Sequence, residues 1–198
     1  MSELEILCGS DVLMISFASK GAKDFEFVKF LTTLCEGKYD IIFYIDKHDC
    51  WYHKGIEGIT TNIVETTEYI HNKIKRNNYK KVLFMGVSAG GYASILFGSL
   101  CSATHILAMI PQTILKNPIN KQYKNLKKLI KPNIKYILYG KKNITNKHDS
   151  HHISQCLNIT DFKNIELRYC DDMIPLEMIK AGVLQQVIID MMELQNNI

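Results

Sequence analysis

Residues 80–98 read Lys80-Lys81-Val82-Leu83-Phe84-Met85-Gly86-Val87-Ser88-Ala89-Gly90-Gly91-Tyr92-Ala93-Ser94-Ile95-Leu96-Phe97-Gly98. A short apolar run, Val82 to Met85, ends in Gly-x-Ser-x-Gly and passes into a second apolar run thinned by small residues. The first run has the length of a buried strand. Gly86 and Gly90 remove side chains where a strand and the helix after it nearly touch, and a serine held at a strained turn between them needs that room. Gly91, Ala93 and Ser94 keep the helix thin enough to lie close on a sheet. Together these residues have the pattern of a nucleophile elbow: strand, sharp turn carrying an exposed serine, helix. A glycine-rich strand–helix turn can also hold a phosphate at the helix N-terminus. Neither a Walker-type string nor G-x-G-x-x-G occurs in this chain, which argues against that use.

Working outward, strand-like and helix-like segments alternate. Strands are expected at Ile6–Cys8, Val12–Phe17, Ile41–Ile45, Val82–Met85, Ile106–Ile110, Ile134–Tyr139 and Ile165–Tyr169. Helices are expected at Asp24–Cys35, Thr60–Lys75, Gly90–Leu100, Asn120–Ile130, His152–Leu157 and Pro175–Met192. Alternation of this kind predicts an α/β fold, a mostly parallel central sheet covered by helices on both faces. Chemistry in such sheets gathers at the C-terminal ends of the strands. Ser88, Ala18-Ser19, Asp46 to Trp51, Pro111-Gln112 and the residues after Tyr139 all fall there.

The chain of 198 residues is long enough for one domain with a full core, expected to span 1–198. It has no repeat, linker or low-complexity tract. No segment approaches the ~20 apolar residues of a membrane span, and the first residues lack the pattern of a signal peptide. Six cysteines are scattered without C-x-x-C spacing. That suits reduced thiols in an intracellular protein and not a disulfide framework or a zinc site; no metal or organic cofactor is expected. Only Arg76 and Arg168 are arginines, so bidentate grips on phosphate or carboxylate are scarce. Ten of the 24 cationic residues, all lysines, lie between Pro111 and His148, a stretch without any acid. Within it Ile119, Tyr123, Leu126 and Ile130 have helical spacing after Asn117-Pro118, which predicts an amphipathic helix with a lysine face. The functional reading is a basic rim that draws in an anionic substrate or surface; the plainer reading is a solvated face. With arginine so rare and no binding motif, nucleic acid is not an expected partner.

The elbow resembles that of the α/β-hydrolase superfamily. More narrowly, Gly90 to Gly98 and Pro111-Gln112 resemble small hydrolases whose elbow helix reads Gly-Gly-Tyr-Ala-x-Ile-Leu-Phe-Gly and whose next strand ends in Pro-Gln. The resemblance covers most of 12–184, and because related hydrolases often carry a cap or lid between the strands on either side of the lysine-rich stretch, it implies a reduced cap or lid at 113–133. It implies an α/β-hydrolase fold and Ser88 as a nucleophile activated by a histidine that an acid orients. It implies Asp149 as the acid, because Asp149-x-x-His152 resembles an Asp-x-x-His of those proteins, with Asp172 as the alternative. It also implies an oxyanion hole made by the N–H of Ala89 and that of Ala18 or Ser19. Asp49 to Gly58 resembles a Trp-Tyr-x-x-Gly-x-x-Gly loop, so Trp51, Tyr52 and His53, with Gln112, are expected to wall a substrate pocket; a loop merely anchored by Trp51 is the structural alternative. The chain departs from the pattern at the histidine. The slot after the last strand holds Asp172, and no histidine follows position 152. Three readings stay open: His152 as base, His151 as base, or a triad that is lost. His48 and His53 are weaker candidates, and His71 and His105 are expected to have no role.

Two functions follow from these residues. One is a serine esterase, thioesterase or deacylase acting through an acyl-serine on a small or acyl-bearing substrate. The alternative is a catalytically impaired relative that binds a ligand or partner, with attachment to an anionic surface through the lysines as a weaker form of it. Oligomeric state is not legible.

Overall fold

The computed structural model describes residues 1–170 and 173–193. Its seven strands are β1 (Glu3–Ile6), β2 (Val12–Phe17), β3 (Asp40–Tyr44), β4 (Lys81–Val87), β5 (His105–Met109), β6 (Lys135–Gly140) and β7 (Ile165–Tyr169). They form one sheet in the order β1-β3-β2-β4-β5-β6-β7. All neighbours are parallel except β1, which pairs antiparallel to β3. The helices are α1 (Val28–Cys35), α2 (Ile63–Arg76), α3 (Ala89–Leu100), α4 (Ser154–Leu157), α5 (Pro175–Lys180) and α6 (Val183–Glu193). Strands β2 to β5 are buried almost throughout, because helices cover both faces. One core joins the sheet to α2, α3 and the 111–133 segment; the other joins it to α1, α5 and α6.

Three expected elements differ from those found. The first strand is Glu3–Ile6 and not Ile6–Cys8: beyond Ile6 the Asp40 carboxylate accepts the N–H groups of Cys8, Gly9 and Ser10 and draws the chain out of the strand. The amphipathic helix expected at Asn120–Ile130 is replaced by two short 3₁₀ turns, Lys121–Tyr123 and Leu126–Leu129. The physical reason is a pair of asparagines: the side chains of Asn120 and Asn125 accept the N–H of Gln122 and Lys127, and each restarts the backbone. Tyr123, Leu126 and Ile130 are still buried, but Ile119 is exposed. The helix expected over Pro175–Met192 breaks at Gly182, whose φ of 72° ends α5 and begins α6.

Chain order turns back between β2 and β4: from β2 the chain goes out to β3, and from β4 it goes the other way through β5, β6 and β7. Ligands of open α/β sheets bind beyond the strand ends at such a point. The loop after β3 is drawn toward it by Asp46. This buried carboxylate accepts the N–H groups of His48, Cys50 and Tyr52 while Asp49, Trp51 and Tyr52 take positive φ.

Tyr52 and His53 are core residues and not pocket walls. The Tyr52 ring is fully buried edge-on against Phe17 and Phe97, and its hydroxyl reaches the carbonyls of Ala18 and Tyr44. His53 is buried too. Its Nδ1 accepts the N–H of Asn120 at 3.0 Å, so its hydrogen sits on Nε2 and faces Tyr92 Oη at 2.9 Å. Tyr92 in turn donates to the Tyr123 carbonyl at 2.8 Å. This relay ties the loop after β3 to the 111–133 segment. Tyr92→Phe should leave a buried N–H and a buried carbonyl unpaired, costing about 2 kcal/mol in urea unfolding; a loss under about 0.5 kcal/mol would show that the relay adds little.

His105 opens β5 and is buried beside Thr104, and burial first, then Lys81 and Lys135, pushes its pKa down to about 4. The folded state therefore prefers the neutral ring, whereas the unfolded chain takes up the proton near pH ~6.5. The stabilisation is complete above that pH and is lost as pH falls toward 4, by up to roughly 3 kcal/mol. Burial shifts His53 in the same direction. His105→Asn should remove most of the slope of unfolding free energy over this window; an unchanged slope would contradict the assignment.

Candidate active site

Ser88 stands between β4 and α3 with φ 54° and ψ −114°, a conformation that costs a non-glycine residue about 1–3 kcal/mol. Its surroundings enforce it. A Cβ on Gly90 would lie 2.1 Å from the Phe17 carbonyl oxygen, and one on Gly86 would lie 2.5 Å from the Gly90 carbonyl. The absence of both side chains lets β4 and α3 close against β2. The Ser88 N–H donates to the Met109 carbonyl at 2.9 Å, which leaves the side chain at the strand ends.

Ser88 Oγ lies 2.8 Å from His151 Nε2. His151 belongs to the loop after β6, not to the segment after β7. Asp149, two residues earlier, accepts the His151 backbone N–H at 2.7 Å, and its Oδ1 stands 3.7 Å from His151 Nδ1. It therefore shapes the loop more firmly than it grips the ring. His152 is turned away: its Nδ1 meets the Ser154 N–H and hydroxyl at the start of α4. The histidine at the serine is thus His151. The alternative acid, Asp172, lies outside the described residues.

Gln112 completes the cluster. Its Nε2 is 2.8 Å from Ser88 Oγ and 2.8 Å from His151 Nε2. Its Oε1 accepts the Trp51 indole N–H at 3.0 Å. Because an indole can only donate, this bond fixes which end of the amide faces the serine. The amide aims donors at His151 Nε2, so a neutral His151 keeps its proton on Nδ1, on the side of Asp149. Trp51 is held by its positive φ of 56° and carries Lys20 Nζ 4.5 Å above its ring.

On the other side of Ser88 the expected oxyanion donors are engaged differently. Ala89 opens α3, so its N–H has no partner within the helix. The Ala18 N–H continues the β2–β3 ladder to the Tyr44 carbonyl at 2.9 Å and is not a free donor. The Ser19 N–H donates to Glu26 Oε2 at 3.0 Å, and its hydroxyl meets both Glu26 oxygens at 2.8 Å. Neither Glu26 nor Asp46 carried any signal in the sequence, because each works through a loop whose path is tertiary. His48 is exposed on the loop after β3, and His71 is exposed on α2. Among the described residues no cluster of His, Cys, Asp or Glu could hold a metal ion, no two cysteines form a disulfide, and no helix is long and apolar enough to cross a membrane.

No protein-family model and no curated protein sequence matches the chain. Solved structures do. An α/β hydrolase enzyme from the sediment metagenome of the Mar Chica lagoon, Morocco, superposes over 95% of this chain and 94% of its own, at 14% identity and a TM-score of 0.62. MenH from S. aureus matches over 100% of both chains at 8% identity and a TM-score of 0.65. The capsule O-acetyltransferase of Neisseria meningitidis serogroup A matches over 96% of this chain and 91% of its own, at 14% identity and a TM-score of 0.65. Identities this low speak to architecture alone, and on it they agree with the sheet order and its covering helices: this chain has the α/β-hydrolase fold.

Proposed function

We propose that this protein is a serine hydrolase of esterase, thioesterase or deacylase type. The observation that carries the reading is the 2.8 Å contact between Ser88 Oγ and His151 Nε2 at a serine held in a strained strand–helix turn. A serine hydroxyl becomes a useful nucleophile when a neighbouring base takes its proton, and geometry is the first requirement on that base. His151 meets it, which favours catalysis over the reading of an impaired binding module.

In this reading Ser88 Oγ attacks the carbonyl carbon while its proton passes to His151 Nε2. The tetrahedral oxyanion collapses, and His151 returns that proton to the departing alcohol or thiol. Water then attacks the acyl-serine with His151 again as base, releasing the acid and restoring Ser88. Asp149 and the Gln112 amide keep the ring in the tautomer that can accept the proton. Gln112 and Trp51 are positioning residues on the leaving-group side. The Ala89 and Ser19 N–H groups receive the oxyanion. Glu26 must release Ser19 for this, since a carboxylate opposes negative charge developing beside it.

Labelling by a fluorophosphonate probe tests the assignment. Ser88→Ala should abolish it, and His151→Ala should slow it by at least about 100-fold. His152→Ala should stay within about threefold of the natural protein, whereas an equal loss in both histidine variants would mean that the loop and not the ring matters. Glu26→Gln should label several-fold faster; slower labelling would make Glu26 a structural brace of the Ser19 turn.

A further inference from the structure

A cavity of about 1020 Å³ opens between α1 and the α5–α6 pair, on the face of the sheet opposite α2 and α3. Its long walls are apolar: Phe27, Phe30 and Leu34 on one side, Ile179, Ile188 and Ile189 on the other. The lysines and the glutamate that reach it from the sequence around α1, Lys29, Lys38 and Glu36, are exposed and belong to its rim. One end is shared with the candidate active site. Val87, bonded directly to Ser88, lines the cavity, as do Ser19 and Glu26. Exposed Ile174 and Leu176 stand there as well, more than half accessible. The eight residues of α1 run alongside for about 12 Å, so the space is a trough and not a pit.

We propose that this trough binds the straight acyl chain of the substrate. The inference rests on the acyl-serine reading above and adds the chemical class of the acyl group. Three observations select a hydrocarbon chain. The trough walls are mainly apolar, with charged groups at the rim and at the end near Ser88, and Thr33, Tyr39 and Gln185 as the other polar lining residues. That end contains Ser19, whose N–H is the candidate receiver of the carbonyl oxygen, so a carbonyl placed at Ser88 directs its chain along α1. The lining follows α1 from Glu26 and Phe27 past Phe30 and Leu34 to Lys38, a course that suits an extended chain. A chain arriving by this route also meets Glu26 at the entrance, where its displacement frees the Ser19 N–H.

The test separates binding from turnover. Full-length Ser88→Ala protein is titrated by calorimetry with the methyl esters of butanoate, hexanoate and octanoate. Affinity should rise roughly tenfold for every two methylenes added. Thr33 is an exposed residue of α1 that lines the trough, and Thr33→Trp in the same background should fill it and weaken octanoate ester binding at least tenfold. Leu176→Arg, also at an exposed position, should weaken it without touching the core. Affinity independent of chain length, or unchanged in both trough variants, overturns the proposal. So does a dimer in light scattering that Thr33→Trp dissociates, or ester binding seen only after residues 194–198 are removed. Chain-length-dependent binding by a protein that resists fluorophosphonate would keep the trough and reject the acyl-serine mechanism. Labelling without chain-length dependence would do the reverse.

Discussion

The contact on which the site depends is the approach of the Gly86–Gly90 backbone to the Phe17 carbonyl. Any side chain at Gly90 would penetrate that oxygen, so α3 can pack against β2 only because position 90 carries none. The closeness has two consequences. It holds Ser88 in a backbone conformation that costs energy for a residue with a Cβ, which local preference alone would not select. It also fixes the Ala89 N–H relative to the Ala18–Ser19 turn, since both ends of the contact belong to neighbouring parallel strands. Ser88, the proposed nucleophile, is thus placed by the sheet and not by a loop.

The proposed base is placed by other means. His151 rides on the loop after β6, and the aspartate nearest to it is two residues away in the same loop. Asp149 spends its shorter contact, 2.7 Å, on the backbone N–H of His151 and stands 3.7 Å from the ring nitrogen. Orientation comes instead from across the sheet. Trp51 after β3 holds the Gln112 amide after β5, and Gln112 meets both Ser88 after β4 and His151 after β6. Four strand ends are tied through four side chains. Asp46 stands behind them, because it folds the loop that presents Trp51.

Most of the fold was legible because its signals are local. The apolar runs of β2 to β7 and the glycines around Ser88 say nearly the same thing in isolation as in the folded chain. The identity of the histidine was not legible. His151 and His152 are neighbours in a polar loop, and which of them turns toward Ser88 depends on Asp149 bending the backbone and on Ser154 capturing the other ring. The roles of Tyr52 and His53 were misread for a related reason. An aromatic pair beside the site in sequence is buried in space, since the positive φ values of Trp51 and Tyr52 turn one ring out toward Gln112 and the next into the core. The 3₁₀ turns at 121–129 escaped a periodicity argument because their buried residues keep nearly helical spacing while two asparagines break the hydrogen-bond ladder.

The two sides of Ser88 differ in chemical character, and that difference follows from the order of the strands. Toward β5 and β6 the neighbours are polar: an amide, an imidazole and, behind them, the lysine-rich stretch, which Lys116 ties to the His151 loop through the His148 carbonyl. Toward β2 the neighbours are Ser19, Glu26 and then apolar residues of α1, α5 and α6. The proposed acyl-serine reaction at Ser88 has a proton to move and a leaving group to release, tasks for the polar side. It also has an acyl group to hold still, a task that hydrocarbon walls perform without competing for hydrogen bonds. Because the serine sits at the turning point of the sheet, each half of the fold supplies one of these environments. Exchanging them would require the histidine to come from the α1 side, where the chain from Ser19 to Tyr39 contains none.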